Sequence, residues 1–279
     1  MGVSMCKYLL KALCGLLMLI DCSFAAGRYT FSVVPQFGPD RLHQEWQPVL
    51  QRISHDTGIV LELKLAAGYT QFDVALKNGS ADFAYVNPYQ ALRSFSRQGY
   101  IPLLKDSKPL VGILLVRKDS GFKSAKDLNR QTIAFPAPNA FGASILLRAH
   151  LSGRMGLQFT PRYLGTHSNV FLHLARNEVA AGGSVLAAFD DEQPEVRGQL
   201  HIIYQTPEVA SHPIVAHPRV PLKDRNAIAQ AFMALAQDEA GRVLLKEIRF
   251  SNPVPALYEK DYLPLDVLKL QKYDAEEKN

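Results

Sequence analysis

The sequence predicts an α/β fold of two lobes, each a mostly parallel sheet flanked by helices with a cleft between them, on three observations. Beyond Gly27, short apolar runs alternate with helix-forming stretches of roughly ten to twenty residues, the pattern of βαβ units. Glycines close several helical stretches (Gly58, Gly79, Gly99), as expected where a chain leaves a helix through a left-handed residue. The alternation breaks at the polar turn Lys118-Asp119-Ser120-Gly121 and then restarts, which divides the chain into two blocks.

In order, Tyr29–Pro35 reads as a strand and Asp40–Thr57 as a helix, with Pro48 either kinking it or marking a late start. Ile59–Leu65 is a second strand, and Thr70–Asn78 a helix with Thr70 as its N-cap. The strand Asp82–Val86 runs directly into a helix over Pro88–Gln98, opened by Asn87 as cap and Pro88 at the first helical position. Strands at Ile101–Lys105 and Leu110–Arg117 follow, then a one-turn helix over Ser124–Leu128. The second block reads strand Thr132–Phe135, helix Asn139–Ser152, strand Gln158–Leu164, helix Ser168–Arg176, a strand or turn at Val179–Gly183 and a short helix Ser184–Asp191. Strand Leu200–Gln205 and the stretch Pro213–Ala216 precede helices Leu222–Gln237 and Asp238–Glu247. The chain crosses between blocks near 110–117 and again near 204–217. No internal repeat is visible, and the polar tail after Leu270 is expected to fray.

The N-terminus reads as a targeting segment. Lys7 and Lys11 accompany an apolar run, Leu9–Ile20, too short for a membrane span, and Ser23-Phe24-Ala25 offers small residues at −3 and −1 of a cleavage site. Residues 1–25 therefore read as a cleaved secretory signal. An uncleaved anchor is the alternative; lipid attachment at Cys22 is disfavoured by the acidic Asp21 before it. Cys6, Cys14 and Cys22 all lie in this segment, so the exported chain has no disulfide, thiol nucleophile or thiolate metal site. That pattern places it in the bacterial periplasm, held together by its core alone.

The formal charge is +5; removing the signal takes away two lysines and one aspartate and leaves +4. The cations (Arg41, Arg52, Lys64, Arg93, Arg117, Arg148) are scattered, whereas nucleic-acid binding wants a basic stripe with aromatics beside it, so no nucleic-acid partner is expected. No G-x-S-x-G elbow, H-E-x-x-H, P-loop or G-x-G-x-x-G occurs, and Asp190-Asp191 falls in an exposed turn. His212 and His217, five apart on an extended chain, point to opposite faces and make no metal pair.

The most informative stretch is 73–92. A strand that stops and turns into a helix leaves backbone N–H groups free at its carboxyl end, where open α/β sheets bind small ligands. Tyr85, Asn87 and Tyr89 surround that point. Asn87 can cap the helix, donate to a ligand, or both.

Several short motifs then resemble one family in this order and spacing: Trp46-Gln-Pro-Val-Leu-Gln-Arg-Ile with Thr57-Gly58; Tyr69; Gly79-Ser-Ala-Asp-Phe-Ala-Tyr-Val-Asn-Pro; Ser124-Ala-Lys-Asp-Leu; Gly165-Thr-His-Ser; and Asp261-Tyr-Leu-Pro. From Tyr29 to Leu270 the chain resembles the phosphonate/phosphite-type solute-binding proteins of ABC transporters, with the type II periplasmic-binding-protein fold. The resemblance implies that two lobes close on an oxyanion held at helix starts and contacted by tyrosines, hydroxyls and a histidine. It implies lobe 1 over 26–112 and 214–279 and lobe 2 over 113–213, no cofactor or metal, no catalysis, a monomer, and an inner-membrane permease as partner. Position by position, Tyr69 and Tyr85 match the cleft tyrosines, and His167, between Thr166 and Ser168, matches the second-lobe histidine. The loop and helix start Pro138–Ser144, with Asn139, Ala140, Phe141 and Ser144, matches the anion loop. His212 stands where amine-binding members carry an acid, as a hinge residue or a ligand contact.

The departures point away from a zwitterionic ligand: Pro138–Ser144 keeps one hydroxyl, Phe141 offers an apolar surface, and Glu178-Val-Ala-Ala-Gly replaces the usual aspartate. A sensor acting in trans with a membrane kinase or cyclase, and an enzyme on the same fold, are the rival readings.

Overall fold

The structure is a computed structural model and describes residues 27–274; the segment read as a secretory signal lies outside the described residues. Its order is β1 (Arg28–Val33), α1 (Pro39–Thr57), β2 (Val60–Leu65), α2 (Tyr69–Lys77), β3 (Phe83–Tyr85), α3 (Pro88–Gln98), β4 (Ile101–Asp106) and β5 (Gly112–Arg117). After a short 3-10 turn (Ala125–Leu128) come β6 (Thr132–Phe135), two helical segments (Phe141–Leu146 and Ala149–Arg154), β7 (Thr160–Tyr163), α4 (His167–Ala175), β8 (Ala181–Val185), α5 (Leu186–Asp190), α6 (Pro194–Arg197) and β9 (Leu200–Gln205). The chain ends with β10 (Pro213–Ala216), α7 (Leu222–Leu235), α8 (Glu239–Glu247), β11 (Pro253–Pro255), α9 (Tyr258–Asp261) and 3-10 turns over Leu263–Leu268 and Leu270–Tyr273.

Helix α1 shows how the sequence drives this arrangement. Its buried residues Leu42, Trp46, Val49, Leu50 and Ile53 recur at helical spacing and form one apolar stripe against the sheet. The helix runs through Pro48 without ending and stops at Gly58, whose φ of 70° only glycine adopts readily. Helix α2 starts one residue earlier than expected. Gly68, not Thr70, is its N-cap, and Tyr69 is its first residue.

The strands form two sheets, a six-stranded one ordered β11-β4-β10-β3-β1-β2 and a five-stranded one ordered β7-β6-β8-β5-β9. Both are mixed. In the first, β1 runs parallel to β2 and β3, while β10 is antiparallel to β3 and β4. In the second, β6 runs parallel to β7 and β8, and β5 is antiparallel to β8 and β9. The reason lies in the crossings. The chain leaves the first sheet at the end of β4 and returns beside it, so β10 enters at the carboxyl ends of its neighbours and must run against them. The triplets β1-β2-β3 and β6-β7-β8 share one order and sense, an architectural repeat that the sequence does not display.

Apolar residues on successive positions of the second sheet face opposite sides. Leu114, Val116, Ile133 and Phe135 pack in one cluster, and Ile113, Leu115 and Ala134 in another with Val170 and Phe171 of α4. The larger cluster is built on the first sheet, yet it also takes in Phe141, Ile145, Leu146 and Ala149 from the second block. The helix expected over Asn139–Ser152 begins at Phe141 and is wound as two π-type segments. Its opening turn carries both Ser144 N–H and Ile145 N–H onto the Ala140 carbonyl, at 2.8 and 3.2 Å.

The two crossings pair with each other. Leu110 and Val209 exchange backbone hydrogen bonds of 2.9 and 3.1 Å. Thr206 N–H donates to the Gly112 carbonyl (2.9 Å), while Gly112 N–H donates to Thr206 Oγ1 (3.0 Å). A Cβ on Gly112 would meet the Gly142 carbonyl at 2.5 Å, so the start of the π-wound segment rests directly on the crossing.

The expected fraying after Leu270 is not what the structure holds as far as Asp274. Asp274 is 2 % exposed and ion-paired with Arg93 of α3, and Tyr273 offers its carbonyl to Arg148. Composition alone misled here, because a buried ion pair and a charged donor recruit polar residues into packed structure.

Thr206 is 4 % exposed and its hydroxyl satisfies the buried Gly112 N–H. Thr206→Val keeps the shape and strands that donor, so the unfolding free energy from urea titration should fall by roughly 1–3 kcal/mol. An unchanged urea midpoint would show that the crossing tolerates an unpaired amide.

Candidate functional site

In the first sheet β1 leads through α1 to β2 on one side, while β3, on the other side of β1, leads through α3 away from it. The carboxyl ends of β1 and β3 therefore form a switch point, the place where open α/β sheets leave a crevice. Backbone bonds stitch that end together: Val34 N–H to the Tyr85 carbonyl (2.9 Å) and Val86 N–H to the Pro213 carbonyl (3.0 Å). Gln36, Tyr85, Asn87 and His212 are gathered there.

Tyr85 is 6 % exposed, with its ring against Trp46 (centroids 4.8 Å), edge-on to Phe250 (6.0 Å) and stacked on His212 (5.5 Å). Burial, with the field of Asp106 added, raises its phenol pKa far above the ordinary value and keeps it a neutral donor. His212 accepts from Gln36 Nε2 (3.0 Å) at its own Nε2, and burial pushes its pKa down to about 4, so the imidazole is neutral at pH 7. Asn87 completes a capping box. Its Oδ1 accepts from Gln90 N–H (2.8 Å) and Gln90 Oε1 accepts from Asn87 N–H (2.9 Å). The cap is thus confirmed, and only the amide NH2 of Asn87 is left for another role. Tyr69 stands in the first turn of α2, half-buried, with its phenol pushed up to about 12 by burial and then by Asp73.

The second sheet repeats the geometry at the ends of β6 and β8. Leu164 N–H and Gly165 N–H donate to the carbonyls of Phe135 (2.9 Å) and Pro136 (2.7 Å), which turns the chain into α4. Thr166 caps that helix through Asn169 N–H (3.1 Å) and, like Ser168, is exposed. His167 Nδ1 and Ser184 Oγ share a hydrogen bond of 2.7 Å; burial lowers the imidazole to about 4. Asn139 is buried before the π-wound segment, Ala140 is its N-cap, and Phe141 lies in the first-sheet cluster, the candidate residue that links the two groups. Ser144 departs from expectation. It is fully buried and its Oγ accepts from Arg148 Nε (3.1 Å), one helical turn further on, so it faces the packed interior rather than an open surface.

Three residues at these points escape the sequence reading: Gln36, Ser184 and Arg148. The strand-end rule applied to β1 would have reached Gln36. Gly182-Gly183 inside a strand marks the close approach beside Ser184, since a Cβ on Gly183 would meet the Ala143 carbonyl at 2.5 Å. Nothing local marks Arg148. Asp82 proves structural, accepting from Thr30 N–H (2.8 Å), Thr30 Oγ1 (2.9 Å) and Arg219 Nε (2.6 Å).

Gln36, Tyr85, Asn87, His167 and His212 can offer N–H and O–H groups without bringing either an acid or a fixed cation, while the fully buried Ser184 holds His167. Such a set suits an oxyanion and offers an ammonium group no carboxylate. A cavity of about 400 Å³ lies elsewhere, on the crossings between Lys105, Arg154, Glu208 and Leu265, and no candidate residue lines it. Among the described residues no group of histidines and acids could hold a metal ion, and no helix is long and apolar enough to cross a membrane.

The family model described as "ABC transporter, phosphonate, periplasmic substrate-binding protein" matches residues 31–262. No curated protein matches the chain. Among solved structures, a binding protein component of an ABC phosphonate transporter from Pseudomonas aeruginosa is similar at 17% identity and TM-score 0.72, covering 91% of this chain and 92% of that one. A Prochlorococcus marinus protein solved in complex with methylphosphonate gives 14% identity and TM-score 0.75 over 88% and 98%. The aliphatic sulphonate binding protein of Escherichia coli gives 14% and 0.59 over 89% and 92%. At these identities the neighbours establish the two-lobed fold.

His167 and His212 both have folded pKa values near 4, below the ordinary 6.5, so the unfolded chain takes up protons first as pH falls. Their stabilising contribution is full above about pH 6.5 and is lost on the way to about pH 4. Melting temperature should drop across that window, and the double variant His167→Gln/His212→Gln should flatten the drop. An equal fall in both proteins would assign the effect to other groups.

Proposed function

The chain belongs to the periplasmic substrate-binding proteins of phosphonate-type ABC transporters, and on that premise we propose that it captures a small oxyanion by closing its two lobes around the strand ends just described. As a family member it is the substrate-binding component of an importer and works with that transporter's permease. The ligand class we assign is phosphonate, phosphite or phosphate-like, without an ammonium group.

The observation that carries this reading is the pair of strand-end switch points, one per sheet, furnished with neutral donors. Tyr85, Asn87 and His212 with Gln36 form one wall; Asn139, Ala140 and Phe141 with Thr166, His167 and Ser168 form the other; Tyr69 covers the edge of the first. The first backbone N–H groups of the π-wound segment, which no intrahelical carbonyl can reach, add donors without charge. The paired crossings are the hinge, with lobe 1 assigned to 26–112 and 214–279 and lobe 2 to 113–213. Contacts made by both lobes favour the closed form, so affinity reflects how far they exceed the preference for opening. Export by cleavage after residue 25 and action as a monomer belong to the same proposal.

The Ser184–His167 pair is the one feature an enzyme reading could use. It lacks what a nucleophile needs: the serine is 0 % exposed, and burial alone shifts the histidine, with no carboxylate acting on it. We read the pair as binding machinery, not catalysis.

Calorimetric or thermal-shift titration with methylphosphonate, phosphite, phosphate, alkylsulfonates and small carboxylates tests the ligand class. At least one oxyanion should bind, adding about 2.7 kcal/mol of stability at a hundredfold excess over its Kd. Silence across the panel would remove the oxyanion assignment. Tyr85→Phe deletes only a hydroxyl that makes no bond among the described residues, so it should leave the melting temperature within a degree or two while weakening binding about tenfold or more. Undiminished affinity would place the ligand away from the end of β3.

A further inference from the structure

We propose that Arg148 is the positioning residue of the loop 138–144, and that its charge, set behind the first turn of the π-wound segment, is the positive charge a bound oxyanion meets through that loop. The inference rests on the oxyanion reading above for its ligand, and goes beyond it by assigning the charge.

The guanidinium reaches three acceptors. Nε donates to Ser144 Oγ at 3.1 Å, and Nη2 donates to the Pro138 carbonyl at 2.5 Å and to the Tyr273 carbonyl at 2.6 Å. The rings of Tyr163 and Tyr273 lie 6.0 and 5.9 Å from it. The side chain therefore runs back toward the start of its helical segment, as long side chains on helices do, and joins the loop to the C-terminal segment.

All three acceptors are neutral. Among the described residues no carboxylate is within ion-pair distance of Arg148; Asp274, the acid whose field reaches it, is paired with Arg93. Burial lowers the guanidinium pKa, and a guanidinium stays charged nonetheless. Its location gives weight to that lack of an ion pair among the described residues. The unpaired N–H groups that open a helix already make that end positive, so a cation there is repelled in the empty protein. An anion held by those same N–H groups turns the repulsion into attraction and adds a counter-charge close to this half-buried cation, which has no ion pair among the described residues. Lysine could not replace it, because one ammonium cannot span Ser144, Pro138 and Tyr273 with the fixed fork that a guanidinium provides.

Charge dependence separates this role from a purely structural one. At mildly alkaline pH, where methylphosphonate and phosphite are dianions and methanesulfonate is a monoanion, the full chain and its Arg148→Gln and Arg148→Lys variants are titrated with each by calorimetry. Arg148→Gln should lose about 10- to 100-fold in affinity for the dianions and distinctly less for the monoanion, while Arg148→Lys weakens all three yet keeps the wild-type ratio between them. Equal losses for dianion and monoanion in Arg148→Gln, or a lost ratio in Arg148→Lys, would overturn the charge assignment. Circular dichroism checks that each variant folds; if the glutamine variant does not, the ratio in the lysine variant decides. A wild-type protein that binds none of the three removes the oxyanion reading and this proposal together. Wild-type binding with an unimpaired glutamine variant removes the role of Arg148 alone.

Discussion

The short ladder between the two crossings, Leu110 with Val209 and Gly112 with Thr206, is the constraint on which the rest of the molecule depends. Two sheets joined by two single segments could swing freely. Because the segments pair with each other, they form one narrow ribbon that limits how the sheets can move. The ribbon also decides strand direction. It leaves from the end of β4 and returns at the carboxyl ends of β3 and β4, so β10 enters antiparallel and carries His212 onto Tyr85.

From that arrangement follows the chemistry. Each sheet has a first strand flanked by two parallel neighbours, and helices or loops open from the same end of both sheets. Strand ends and helix starts both present N–H groups, so donors collect there without any formal charge being required. The two histidines fit the same plan: half-buried, neutral at pH 7, and hydrogen-bonded to Gln36 and Ser184. Neutral donors avoid the large desolvation cost of burying ions in an empty cleft. Arg148 is the exception, and it sits behind the loop instead of within the donor set.

The C-terminal segment has a larger part than its composition suggests. Asp274 is fastened to α3 and Tyr273 to Arg148, so residues distant in sequence tie the helix opened by Asn87 to the loop before Phe141. Together with Phe141 and Ile145 in the first-sheet cluster, it links the blocks by packing as well as by covalent continuity.

What the sequence by itself determined was whatever local spacing encodes. The α/β alternation, the cap at Asn87, the stops at Gly58 and Gly99, strands such as Thr132–Phe135 and Leu200–Gln205, and the strand-to-helix junctions could all be read from neighbouring residues, because caps, turns and apolar periodicity are interactions within a few positions. Tertiary structure alone decided the pairing of β10 between β3 and β4, the mixed sense of both sheets, the π winding after Ala140 and the burial of Ser144. It also brought Gln36 to His212 across 176 positions, Ser184 to His167, and Arg148 to Tyr273. Such partners are chosen by where the crossings carry the chain, and a polar side chain shows no local sign of which distant carbonyl or imidazole will meet it.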